Sequence, residues 1–172
     1  MTKKLLLKTR SEPVFYTLVG ISCHLMDYRF LHLLNRELGV NFTKEDDLKI
    51  HIPGIDQPVA FSFYSYTDED QRNFYYLVSN FSQDFILVPE FRHIDYMLMI
   101  EGDFKKKKKD SLLTIIRSTP KVQAAYEIKI TNIKNAESFL TDVEMHISDI
   151  HQKIKTNKQN NYSNLKGGKN HV

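Results

Sequence analysis

The densest group of side chains able to move a proton or hold a ligand lies in Val88-Pro-Glu-Phe-Arg-His-Ile-Asp-Tyr96. Glu90 and Asp95 supply carboxylates, His93 an imidazole and Arg92 a fixed cation, a set suited to general acid–base work if folding gathers it around one substrate. The alternative is a shaped turn between two strands. Pro89 fits the first position of a helical turn, where its missing amide donor costs little, and Glu90 complements the exposed amides there. Asp95 can bond neighbouring backbone before Tyr96 opens a strand. The turn is the expected role, because nothing in the spacing makes the charged groups converge.

A second polar group, Cys23, His24 and Asp27, sits near an expected strand-to-helix junction. A cysteine at a helix start can carry a stabilised thiolate, and a histidine can act as its base. Neighbouring helical residues point in different directions, however, so a small buried cysteine with local polar contacts is expected. Asp142, His146 and Asp149 share an approximate helical face, but they form the wet side of an amphipathic helix and are not read as a metal site. His32, His51, His93, His151 and His171 show no zinc-ligand spacing with one another or with Cys23. No glycine-rich phosphate cradle and no serine nucleophile elbow occur, so no cofactor is expected.

The Val88–Tyr96 segment resembles the IPExxxVDY family of Bacteroidota proteins, a family without an assigned activity. Pro89, Glu90, Asp95 and Tyr96 match its pattern, with Val88 in place of isoleucine and Ile94 in place of valine. Gly20-Ile-Ser-Cys-His-Leu-Met-Asp-Tyr-Arg29, Tyr75-Tyr-Leu-Val-Ser-Asn80 and Val122-Gln-Ala-Ala-Tyr-Glu127 are also similar to family segments. The likeness covers residues 10 to 130 in broad terms. It implies a small cytoplasmic bacterial protein and brings no reaction or cofactor with it.

The elements that must position these residues follow from periodicity. Phe15–Ile21 reads as an interior strand, and Ser22 as the N-cap of a helix over Cys23–Leu38 closed by Gly39. Cys23, Phe30, Leu31, Leu34 and Leu38 gather on one face of that helix. Leu48–Ile52 alternates and ends at Pro53-Gly54. Ala60–Tyr66 and Asn73–Ser79 read as hairpin arms joined by the acidic stretch Thr67–Arg72, with one apolar side and one wetter, tyrosine-bearing side. Further strands are expected at Asp84–Val88 and Tyr96–Glu101. A helix secure by Ser111 stops at Pro120, and Val122–Ile130 alternates as a one-sided strand. The whole predicts an α+β domain, with a largely antiparallel sheet covered by two or three helices and its strand order undetermined.

Leu140, Val143, Ile147, Ile150 and Ile154 then repeat at intervals of three and four. Packing within the protomer is the first expectation for this stripe, a homodimer the second and a protein partner the third. The division is a basic N-terminal segment 1–10, a domain 11–134, an amphipathic helix 135–156 and a flexible basic tail 157–172.

The 172 residues, 41% apolar and 26% charged, suffice for one core. Cys23 is the only cysteine, so no intramolecular disulfide forms and a reducing compartment is expected. Three consecutive leucines at positions 5–7 are too few for a signal core or a membrane span. The net charge of +3 conceals a separation. Residues 1–10, Lys105–Lys109 and residues 151–172 hold fourteen basic side chains and no acid, and without them the remainder carries −11. Binding to nucleic acid needs positive charge concentrated where the polymer lies. Weak RNA association through these basic appendages, with Phe61–Tyr66 and Phe74–Tyr76 as stacking rings, is therefore one alternative. Small-molecule binding or catalysis at Glu90–Asp95 is another. The leading expectation is a non-catalytic cytoplasmic interaction or structural-support protein.

Overall fold

The computed structural model describes residues 14–167, with side chains through residue 160. Thirteen elements other than short 3-10 turns follow one another: β1 (Tyr16–Ser22), α1 (Asp27–Leu38), β2 (Thr43–Lys44), β3 (Leu48–Ile50), β4 (Val59–Phe61), β5 (Phe63–Asp68), β6 (Asn73–Ser79), β7 (Phe81–Ser82), β8 (Phe85–Ile86), β9 (Tyr96–Glu101), α2 (Lys106–Ser118), β10 (Ala124–Ile128) and α3 (Ala136–Gly167). The fold is α+β. Six strands form an antiparallel sheet in the order β10-β1-β9-β6-β5-β2, and β3-β4 and β7-β8 form separate small ribbons.

The centre of the sheet is written in the apolar run of β9, all six of whose residues are buried. A strand covered on both faces loses the alternation of a half-wet strand. Its two side-chain sets enter two different cores. Leu98 and Ile100 join Val19, Ile21, Leu77, Tyr64 and Tyr75 beneath Phe30 and Leu34 of α1 and Leu112, Leu113 and Ile116 of α2. Met97 and Met99 join Leu18, Tyr76, Val78 and Phe63 beneath β3-β4 and Phe139, Val143, Ile147 and Ile150 of α3. Register keeps the sets apart: Val19 lies opposite Leu98 and Leu98 opposite Leu77, while Leu18 lies opposite Met99 and Met99 opposite Tyr76.

Several boundaries differ from the sequence expectation. Ser22 belongs to β1 and does not cap a helix; α1 begins four residues after Cys23, behind Met26 in an extended conformation. Asp95 accepts the Cys23 amide and the Tyr96 hydroxyl bonds the Leu25 carbonyl, so both fasten the 23–26 connection between β1 and α1. Gly39 ends α1 in the left-handed region at φ 65°, as its type requires. The tyrosine side of the β5-β6 hairpin is largely covered, with only Tyr66 half-buried. Tyr64 and Tyr75 are 6% and 9% exposed because α1 and α2 cover them, and Phe61 and Phe63 are buried on the other face, so these rings are withdrawn from any stacking role. In β10 Ala125 is buried opposite the expected face, since this edge strand also meets both cores.

The stripe on α3 packs inside the protomer. Val143, Ile147 and Ile150 are buried and Leu140 lies against them, whereas Ile154 is 42% exposed and outside that core. The helix does not stop at Thr156. Residues 157–167, expected to be flexible, continue it to Gly167, because no proline or glycine intervenes to break the hydrogen-bond ladder. The basic segment 1–10 and the tail residues 168–172 lie outside the described residues. Among those described, no helix is long and apolar enough to cross a membrane.

Candidate functional site

The Val88–Tyr96 segment crosses from the α3 side of the sheet to the α1 side, and its polar groups part company along the way. Val88 is buried in the first core and Pro89 opens a 3-10 turn, Pro89–Phe91. One Glu90 carboxylate oxygen, Oε1, accepts the backbone amide of Lys134 at 3.0 Å, fastening this turn to the chain just before α3. Arg92 is exposed, with no hydrogen bond or ion pair to its side chain among the described residues. His93 stacks on Tyr126 of β10, ring centroids 5.8 Å apart, and its Nε2 bonds the Tyr126 hydroxyl.

Asp95 and Tyr96 turn the other way. Asp95 Oδ2 accepts the Cys23 amide at 2.8 Å, and Oδ1 lies 3.4 Å from His24 Nδ1. The Tyr96 hydroxyl donates to the Leu25 carbonyl at 2.6 Å and lies 3.0 Å from Asp27 Oδ1, while the Tyr64 hydroxyl donates to Asp27 Oδ2 at 3.3 Å. Phe30 stacks on the Tyr96 ring at 4.5 Å. Cys23, His24 and Asp27, separate from Asp95 and Tyr96 in the sequence, thus form one assembly with them at the β1–α1 junction.

The electrostatics of this assembly oppose reaction. Burial pushes the Cys23 thiol above its ordinary pKa, and the nearby Asp95 carboxylate adds to the rise, so the thiolate that nucleophilic chemistry needs is disfavoured. Burial and Asp27 likewise hold the Tyr96 phenol far above its ordinary range, and they push Tyr64 up to about 12. Both phenols are therefore neutral hydrogen-bond donors at neutral pH. His24 is open to solvent and Cys23 is not, so the imidazole–carboxylate pair has no accessible nucleophile beside it. What the assembly does is hold backbone.

The expected alternative of one pocket formed by Glu90, Arg92, His93 and Asp95 is not what the fold builds. Glu90 lines an open groove with β3, the β8 region and the start of α3, whereas Asp95 lies at the β1–α1 junction. The physical reason is that β9 begins at Tyr96, directly after Asp95, and pins that carboxylate to the sheet end while the 3-10 turn swings Glu90 away. The other polar set also disperses. His146 Nε2 lies 2.9 Å from the Asp46 carbonyl and the imidazole packs edge-on against Phe63, burial depressing its pKa, while Asp142 lines the groove. No group of three side chains of metal-ligand type gathers among the described residues.

The lysine run opens α2. Lys108 Nζ donates to Asn73 Oδ1 at 2.8 Å and lies over the Phe104 ring, and Lys109 pairs with Glu127 at 2.7 Å; Lys105, Lys106 and Lys107 are exposed. The residue that sequence reasoning missed is Asn80. Wholly buried, it donates from Nδ2 to the Phe91 and Ile94 carbonyls at 3.1 and 3.0 Å and accepts the Val88 amide at 2.9 Å. Its backbone amide donates to the Asp95 carbonyl and its carbonyl accepts the Leu87 amide, both at 2.8 Å. The available signal was an asparagine directly after an apolar strand and nine residues before the proline that opens the turn it shapes.

Comparison with protein-family models returns no match, and no curated protein matches the chain.

Proposed function

We propose that the protein is a non-catalytic, cytoplasmic interaction or structural-support protein of the IPExxxVDY family. One observation carries the reading: Glu90 and Asp95, the two carboxylates of the motif, each accept a backbone amide from a different distant segment, Lys134 and Cys23. A carboxylate used in this way stabilises a connection and is a poor proton carrier, because protonation would weaken a charge-assisted hydrogen bond. The family assignment is supported by the four matching motif residues, and the cytoplasmic placement by a lone, buried and free cysteine.

Amide hydrogen exchange tests the reading. Asp95→Ala should speed exchange at Cys23, and Glu90→Ala should speed it at Lys134, each over the other site. A reproducible turnover that requires either carboxylate, with both amides unaffected by the substitutions, would overturn it.

A further inference from the structure

Between Ile50–Pro53, Ile86–Glu90 and the first turns of α3 runs an open groove of about 1190 Å³. Its volume exceeds that of an ordinary small-molecule pocket and suits several residues of a peptide. Ile50, Ile52, Ile86 and Leu87 line it half-buried, so apolar surface remains uncovered. Three carboxylates edge it, Glu90, Glu137 and Asp142, against one lysine, Lys134. No ion pair among the described residues engages Glu137 or Asp142, and apolar walls beside such charges strengthen the field a ligand meets.

We propose that this groove docks a partner segment in which apolar side chains are flanked by lysine or arginine. The proposal rests on the interaction reading above and deepens it by naming the partner's chemistry. Charge complementarity selects the occupant: leucine-like side chains fill the isoleucine-lined floor, while cations meet Glu137 and Asp142 at the rim. The first half of the motif has a place in this scheme, because Glu90 ties the turn that forms one wall to the chain that leads into α3, which forms the other. An acidic segment would meet three carboxylates and is excluded by repulsion.

The test is fluorescence anisotropy on the full chain with a labelled peptide Lys-Leu-Leu-Lys-Leu-Lys. Its counterparts are Glu-Leu-Leu-Glu-Leu-Glu and Lys-Ser-Ser-Lys-Ser-Lys. The basic, leucine-bearing probe should bind saturably and the other two should not. Glu137→Gln/Asp142→Asn, at surface positions, should weaken binding about fivefold at low salt, and Lys134→Gln should strengthen it. Absent binding, equal binding of the acidic probe, or indifference to the double substitution would overturn the proposal. Self-association abolished by the same double substitution would assign the groove to a second copy and overturn it too. Catalytic turnover through Glu90 or Asp95 would instead remove the interaction reading itself, so the two failures are distinguishable.

Discussion

Asp95 accepts the backbone amide of Cys23 at 2.8 Å across 72 positions of sequence. This bond fastens the end of β1 to the start of β9, and the connection from Cys23 bends at Leu25 before α1 begins at Asp27. The Tyr96 hydroxyl on the Leu25 carbonyl fixes the same loop from the adjacent position. Asp95 and Tyr96, the end of the first polar group that stands out in the sequence, are therefore joined to the second, Cys23, His24 and Asp27, in one fastening.

Gly20 illustrates how closely the elements around that fastening approach. A Cβ there would lie 2.9 Å from Ile128 Cδ1 and 3.0 Å from Ile94 Cγ2, both in the core. Gly20→Ala should cost about 1–3 kcal/mol through overpacking, read by urea denaturation. Relief of the loss by Ile128→Val in the same background identifies the clash as the cause.

The buried phenols predict alkaline instability. Tyr64 and Tyr75 are each raised to about 12 in the fold from an ordinary 10.0. Above pH 10 the unfolded chain releases these protons while the folded chain keeps them, so stability is fully present below pH 10 and falls as pH rises toward 12. Each tyrosine steepens that fall by up to about 1.4 kcal/mol per pH unit. Tyr75→Phe should flatten the pH 10–12 slope of the unfolding free energy. A slope unchanged in this variant contradicts the assignment.

On α3 the apolar stripe should divide sharply. Ile147→Ala should cost about 2–4 kcal/mol, because Ile147 is 5% exposed in the core, and Ile154→Ala should cost less than about 0.5 kcal/mol, because Ile154 lies beyond it. Thermal unfolding of the two variants checks the contrast. Equal losses would mean that the seam continues to Ile154 against a partner.

Local chemistry made much of this fold readable. Tyr96–Glu101 is recognisable as a strand, Gly39 closes α1, and α2 ends just ahead of Pro120. The α+β class follows from the same patterns. Pairings over long separation were not readable. Nothing near Ser22 announces that Asp95 accepts the Cys23 amide, and nothing near Tyr64 or Tyr75 shows that α1 and α2 cover both rings. The turn role of Pro89–Asp95 was legible from residue types, whereas its anchors at Asn80, Cys23 and Lys134 required the fold to bring distant backbone together.

The central claim, that the motif's acids secure backbone, is tested most directly by equilibrium unfolding of Asp95→Ala beside Asp95→Asn. Alanine leaves the Cys23 amide without its acceptor and should cost about 1–3 kcal/mol. Asparagine keeps an oxygen that can accept that amide and should recover more than half of the loss. Wild-type stability in both variants, accompanied by loss of a ligand interaction or an activity, would contradict the account.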